Sequence, residues 1–305
     1  MKELYLLRNP YVFNGVECRR EDSIFSLIGV PFDSTSSYRP GSRFAPQRVR
    51  EASQNIELYS LRSGLDMERV PIYDEGDLAV VHGDVYEVMK RLEYVVEDIV
   101  NEGKVLIALG GEHIITYGIL RGFKKPTCVL YFDAHADLRD EYLGYKLSHA
   151  CTLRRLVEIV GPDKVFIIGL RALCSEEVDY IRKSGIKYLT SLMCQGLSFM
   201  DVVNNVRKFL RGCENVYVSI DIDVIDPAYA PGVANPEPEG LSPTYLLNLL
   251  SEVINESVWG FDIVEVVPPI DPSGITSVLA AKIINELASY IYIAKGKGGE
   301  LVRQL

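Results

Sequence analysis

Cysteine is sparse and scattered. The six residues Cys18, Cys128, Cys151, Cys174, Cys194 and Cys213 form no CxxC pair, which excludes a zinc knuckle and a disulfide-dense secreted scaffold. They read as mostly buried thiols, with a disulfide left open. No cluster of lysine or arginine offers a basic surface, and the formal net charge is −10, so nucleic acid is excluded as a partner. That negative field suits a small cationic substrate instead. No uninterrupted apolar run reaches the roughly 20 residues of a membrane span. The start, "MKELYLLRNPYVFNG", has neither the apolar core nor the small-residue cleavage site of a signal peptide. A cytoplasmic protein without a membrane partner is expected. Linkers, repeats and breaks in composition are also missing, so the 305 residues, 48% of them hydrophobic, are expected to fold as one domain over 1–305 around an ample core.

What is present alternates. Short apolar runs of strand type occur at "SIFSLIGV", "KVLIALGG", "TCVLYFDA", "KVFIIGLR", "IKYLTS", "NVYVSIDIDV" and "VWGFDIVEV". Helical spacing of apolar residues falls between most of them, at 84–101, 175–184, 201–210, 243–255 and 277–294. The order is βαβ-like. Continuous rather than alternating strand hydrophobicity implies a sheet covered by helices on both faces. A closed eight-stranded barrel satisfies the same pattern. In either architecture, functional loops gather at the carboxyl ends of parallel strands.

Unusual residues stand at those ends. "CVLYFDAHADLRD" finishes a core strand with Asp133, His135 and Asp137 at every second position, which on an extended backbone would point to one side. "VSIDIDVIDP" repeats the layout with Asp221 and Asp223, "VLIALGGEH" delivers His113 past a glycine pair, and "GFDIVEV" ends near Glu265. A lone histidine or a lone DxD is usually a satisfied core or loop feature; the combination is different. Unpaired carboxylates beside hydrophobic strands cost several kcal/mol each when desolvated, so converging aspartates need a cation. Two dications balance the charges of Asp133, Asp137, Asp221 and Asp223, with His113 and His135 as neutral donors. A mainly oxygen donor set with imidazole favours Mn²⁺ over Zn²⁺. Two such ions lower the pKa of a water held between them from 15.7 toward roughly 7. A binuclear hydrolase is expected.

The motifs "GGEH", "DAHAD", "SHACTLRR", "SIDIDVIDPAYAPG" and "GFDIVEVVPPID", in that order, resemble the ureohydrolases, the arginase and agmatinase family. "GVPFDSTSSYRPGSRFAPQRVREAS" is similar to the agmatinase branch. The resemblance runs from about Gly29 to Ile293 and implies a three-layer α/β/α fold with an eight-stranded, mainly parallel sheet rather than a barrel. It implies that His113, Asp133, Asp137 and Asp221 hold one Mn²⁺ and His135, Asp133, Asp221 and Asp223 the other. It further implies that His149 shuttles a proton to the departing amine and that Glu265 grips the guanidinium. It also implies a homo-oligomer, a trimer or hexamer. His82 matches no ligand motif and is expected to be structural. Arginases usually carry an asparagine where Arg139 stands, and the following Asp140 and Glu141 are expected to face an amine, which favours agmatine. Aminopropylagmatine, arginine and guanidinobutyrate are the alternatives. Glu112, Ala150 and "PGVANPEPEG" depart from the common Asp, Gly and "PGTGTPE" forms. An inactive regulatory relative and a single-metal amide hydrolase of the wider superfamily are the competing classes.

Overall fold

The computed structural model describes residues 2–297. Strands β1 (Leu6–Leu7), β2 (Phe25–Val30), β3 (Ile72–Leu78), β4 (Val105–Gly110), β5 (Cys128–Phe132), β6 (Val165–Leu170), β7 (Lys187–Thr190), β8 (Val216–Asp221) and β9 (Val258–Val264) form one sheet in the order β1-β3-β2-β4-β9-β8-β5-β6-β7. Strands β2 to β9 are parallel, as expected. The ninth strand, β1, is a two-residue antiparallel addition at the edge, too short to leave a periodic trace in sequence.

The helices are α1 (Ala45–Ser53), α2 (Val85–Asn101), α3 (Ile115–Phe123), α4 (Thr152–Val160), α5 (Ser175–Ser184), α6 (Ser191–Gly196), α7 (Phe199–Leu210), α8 (Pro243–Val253) and α9 (Ile275–Ala294). Alternate side chains of each central strand enter opposite cores, because successive residues of a strand face opposite ways. Leu27, Ile107, Leu130, Val218 and Ile263 pack under α1, α7, α8 and α9. Ile28, Leu106, Val129, Tyr217 and Val264 pack under α2, α3, α4 and α5. Helix α9 is long and apolar enough to cross a membrane, but it buries Asn285, bonded to Asn14, and Glu286, bonded to Ser60 and Tyr290. It is a core helix.

Strand β3 carries Asp74, Glu75 and Asp77, so it shows no apolar run. Its acids are met from elsewhere: the fully buried Arg50 of α1 bonds Asp74 through Nε and Nη2 at 2.8 Å each and Asp77 through Nη1 at 2.6 Å. Lys2 bonds Glu75 at 2.6 Å. Among the cysteines, Cys128 and Cys213 form a disulfide, Cys151 and Cys194 are buried thiols, and Cys18 and Cys174 are half-buried thiols.

Candidate active site

Strands β4, β9, β8 and β5 are consecutive neighbours at the middle of the sheet, so their carboxyl ends meet over its centre. Each delivers part of the site. Beyond β4, Gly111 lies so close to the β2–α1 loop that a Cβ would fall 1.9 Å from the Phe32 carbonyl oxygen; only glycine lets the chain turn there and present His113. Beyond β5 the backbone does not stay extended. The strand stops at Phe132 and Asp137 has φ of 50°, a left-handed conformation that non-glycine residues rarely adopt. The DAHAD acids therefore converge through a curled loop, not through simple alternation. Glu265, directly after β9, is also left-handed, with φ of 61°, and strain of this kind concentrates at functional sites.

All six expected ligand residues come together. His113 Nδ1 lies 3.0 Å from Asp133 Oδ2, 3.4 Å from Asp137 Oδ2 and 3.3 Å from Asp221 Oδ2. His135 Nδ1 lies 2.9 Å from Asp223 Oδ2 and 3.6 Å from Asp133 Oδ1. The donor atoms of His113, Asp133 and Asp221 form one group able to hold a metal ion, and those of Asp133, His135 and Asp223 form a second. Asp133 belongs to both. Its Oδ2 is buried without a hydrogen bond, as an oxygen reserved for a cation would be, and the oxygen-and-imidazole donor set suits a hard or borderline dication. The residues fit two ions.

The electrostatics carry the same strain. Burial, then Asp137 and Asp223, push Asp133 up to about 6. Burial and the same kind of crowding lift Asp221 well above the usual carboxylate range. Burial alone would lower His113 and His135, but the surrounding aspartates outweigh it and raise both well above 6.5. Asp223, despite its burial, is held down to about 2 by His135.

Glu265 accepts the His113 backbone N–H at 2.8 Å and reaches the cavity; burial pushes it up to about 8. His149 also lines the cavity, with Nδ1 3.3 Å from Thr35 Oγ1 and Nε2 3.2 Å from Ser37 Oγ. Burial lowers its pKa from the ordinary 6.5. Thr35 and Ser37 had no role assigned from sequence, although the hydroxyl-rich "DSTSS" after β2 was a visible signal. Their loop is tied down by Asp33, which accepts from Gly41 N and the Arg43 side chain. Glu112 is fully buried, and both carboxylate oxygens accept the Thr35 N–H, so the longer acid at this position fastens the same loop. His82 is exposed, apart from the site.

The cavity over these groups has a volume of about 430 Å³. Its outer wall corrects the sequence expectation. Asp140 and Glu141 do not line it: Asp140 turns to Arg155 at 2.7 Å, and Glu141 is exposed. Arg139, Tyr142, Asn235 and Glu237 line it instead. The 235–238 segment, the "NPEP" of the sequence, is held by Arg171, which donates to the carbonyls of Glu237, Pro238 and Asp223.

The family model described as Arginase, the arginase family, matches residues 23–289. The chain belongs to the arginase family. Within it the likeness is to the agmatinase-type ureohydrolases. The chain is 37% identical to an agmatinase of Halalkalibacterium halodurans over 88% of this chain and 92% of that one. It is 37% identical to an N(1)-aminopropylagmatine ureohydrolase of Thermococcus kodakarensis, over 87% and 89%. Among solved structures, the agmatine ureohydrolase of Thermoplasma volcanium superposes with a TM-score of 0.86 at 35% identity, covering 94% of this ureohydrolase and 96% of that chain.

Proposed function

We propose that this ureohydrolase cleaves agmatine to putrescine and urea with two Mn²⁺ held by His113, Asp133, Asp137, Asp221, His135 and Asp223. The observation that carries the reading is the pair of His/Asp groups sharing Asp133, with Glu265 lining the same cavity and bonded to the His113 N–H. Bound there, two dications neutralise the four aspartates and acidify water, so that a nucleophile for the guanidinium carbon exists at neutral pH. The protein's own groups then divide the remaining work. Glu265, ionised against the cation it receives, accepts guanidinium N–H bonds and fixes the carbon in place. Hydrolysis joins a water oxygen to that carbon and breaks its bond to the alkyl-bearing nitrogen. The leaving amine is strongly basic, with a pKa near 10 by analogy with lysine, and must depart protonated. His149 relays that proton, its Nδ1 and Nε2 positioned by Thr35 and Ser37.

The distal end of the substrate meets the outer wall. With Asp140 and Glu141 turned away and the Glu177 carboxylate bonded to Leu138 N and Cys174 N, Glu237 is the lining acid outside the metal cluster and Glu265 that keeps an uncommitted side chain among the described residues. It supports an ammonium-terminated substrate: agmatine, and after it the longer aminopropylagmatine. Arg139 supports a second reading. It lines the same wall and makes no ion pair among the described residues, only a contact 5.3 Å over the Tyr142 ring, so a guanidino acid such as guanidinobutyrate would find a cation there. Urea release from Mn²⁺-reconstituted protein offered agmatine, aminopropylagmatine, guanidinobutyrate and arginine separates these. Preference for guanidinobutyrate or arginine overturns the agmatine assignment, and no urea from any of them overturns the ureohydrolase reading. The accompanying reading is a cytoplasmic, one-domain enzyme of polyamine synthesis that assembles as a trimer or hexamer.

A further inference from the structure

Asp262, in the middle of β9, is fully buried and touches neither the cavity nor solvent. Its Oδ1 accepts from Ser219 Oγ at 2.7 Å, and its Oδ2 accepts from Thr116 Oγ1 and Tyr217 OH at 2.8 Å each. Three hydroxyl groups thus spend their single protons on one carboxylate. Ser219 is the β8 register partner of Asp262, and its Oγ lies 2.9 Å from His113 Nε2. Because the hydroxyl proton of Ser219 is committed to Asp262, its oxygen has only lone pairs left for the imidazole. Whenever His113 carries a single ring hydrogen, that hydrogen must therefore sit on Nε2.

We infer that Asp262, acting through Ser219, is a positioning residue that selects the His113 tautomer with a bare Nδ1, the atom that faces Asp133, Asp137 and Asp221. Tyr131 fixes the plane of the ring: it lies parallel to the imidazole, 4.5 Å away at 1°, while its hydroxyl donates to Asp137 at 2.7 Å and lies 3.0 Å from His113 Nδ1. Carboxylate-backed imidazoles are better metal donors, and loss of such outer partners typically weakens metal binding roughly 10- to 100-fold. The inference rests on the metal reading above and adds a residue to it. A carboxylate that merely tied β8, β9 and α3 together would hold Tyr217 and Ser219 in equivalent roles.

The test is Mn²⁺ titration of the metal-free protein by calorimetry, with metal content after dialysis and metal-free melting temperature measured in parallel, for wild type, Ser219→Ala, Asp262→Asn and Tyr217→Phe. Wild type should hold two ions. Ser219→Ala should weaken one of the two sites roughly 10- to 100-fold and spare the other. Asp262→Asn should weaken it at least as much, since an amide that donates to Ser219 turns the serine proton onto Nε2 and moves the ring hydrogen to Nδ1. Tyr217→Phe removes a donor from the same carboxylate and should keep both ions, whatever it costs in melting temperature. Two unweakened sites in Ser219→Ala overturn the inference while leaving the metal reading intact, and Ser219→Ala alone decides if Asp262→Asn does not fold. Equal weakening by Tyr217→Phe also overturns it. A wild type that binds no Mn²⁺ overturns both.

Discussion

Glu265 combines a left-handed backbone, a bond to the His113 N–H and a position against the cavity. Glutamine keeps the acceptor for His113 but discards the charge. A charge-assisted hydrogen bond is worth about 1.5–3 kcal/mol, so Glu265→Gln should raise KM for agmatine roughly 10- to 100-fold with Mn²⁺ content unchanged; a normal KM would remove Glu265 from substrate binding. His149 contributes proton transfer, for which positioned groups typically supply about 10²–10⁴-fold. His149→Asn should therefore lower kcat by that order while KM moves little, as steady-state kinetics would show. Much of this scale was legible in sequence. Five of the six ligand residues, His149 and Glu265 line one cavity, and Asp133 is buried against His113 and His135; all but His149 stand at the end of an apolar run, and strand ends are where parallel sheets collect loops. Asp140 was misplaced. Its charge was visible, but its partner Arg155, one helix further on, was a matter of three-dimensional approach.

Sequence patterns missed strands β1 and β3 and helices α1, α3, α4 and α6, and two of these, β3 and α1, carry charge in the core. Strand β3 reads as a polar loop until Arg50 is placed against it. Removing one partner of a buried ionic cluster costs about 3–5 kcal/mol because it strands the others. Arg50→Met, which keeps the stem and drops the charge, should accordingly lower unfolding stability by that amount in urea denaturation; a loss under about 1 kcal/mol would mean that water reaches Asp74 and Asp77 freely. Helix α1 was missed with it, since "APQRVREAS" offers Val49 as its one large apolar side chain and its buried face is completed by the aliphatic stem of Arg50. At β5, the disulfide from Cys128 to Cys213 closes a loop with a sequence separation of 85. In the chain-entropy account a loop of that size is worth roughly 4–5 kcal/mol. Reduction should lower the melting temperature yet leave kcat at room temperature unchanged, because the bond anchors the start of the strand and the ligands lie beyond its end.

At the scale of the molecule, the buried acids and imidazoles make stability a function of pH and metal together. A carboxyl or imidazole whose folded pKa is raised contributes stability at low pH and loses it as pH rises through the folded value. Asp133 at about 6 and Glu265 at about 8 are of this kind, as are Asp221, His113 and His135, all raised. Asp223, held down to about 2, contributes above the ordinary aspartate range and loses its contribution only in strong acid. The metal-free protein should thus melt lower at about pH 9 than at about pH 6, and Mn²⁺ should raise the melting temperature more at the higher pH. A metal-free melting temperature that is flat or rising over that interval would show that the ligand cluster is hydrated in solution.

The sequence by itself determined the βαβ alternation and the residue types of the metal cluster, because apolar periodicity and strand-end acids are local properties that each segment carries alone; that pattern fits an open sheet and a closed barrel equally, and the resemblance of the motifs implied the open sheet. Only the tertiary structure decided which charges are spent and which are free. Arg50 is consumed by an acidic strand, Asp140 by Arg155 and Asp262 by three hydroxyls, whereas Glu237 and Arg139 are left facing the cavity. The reason is physical: a side chain's availability depends on partners within about 3 Å, and those partners come from elements far apart in the chain.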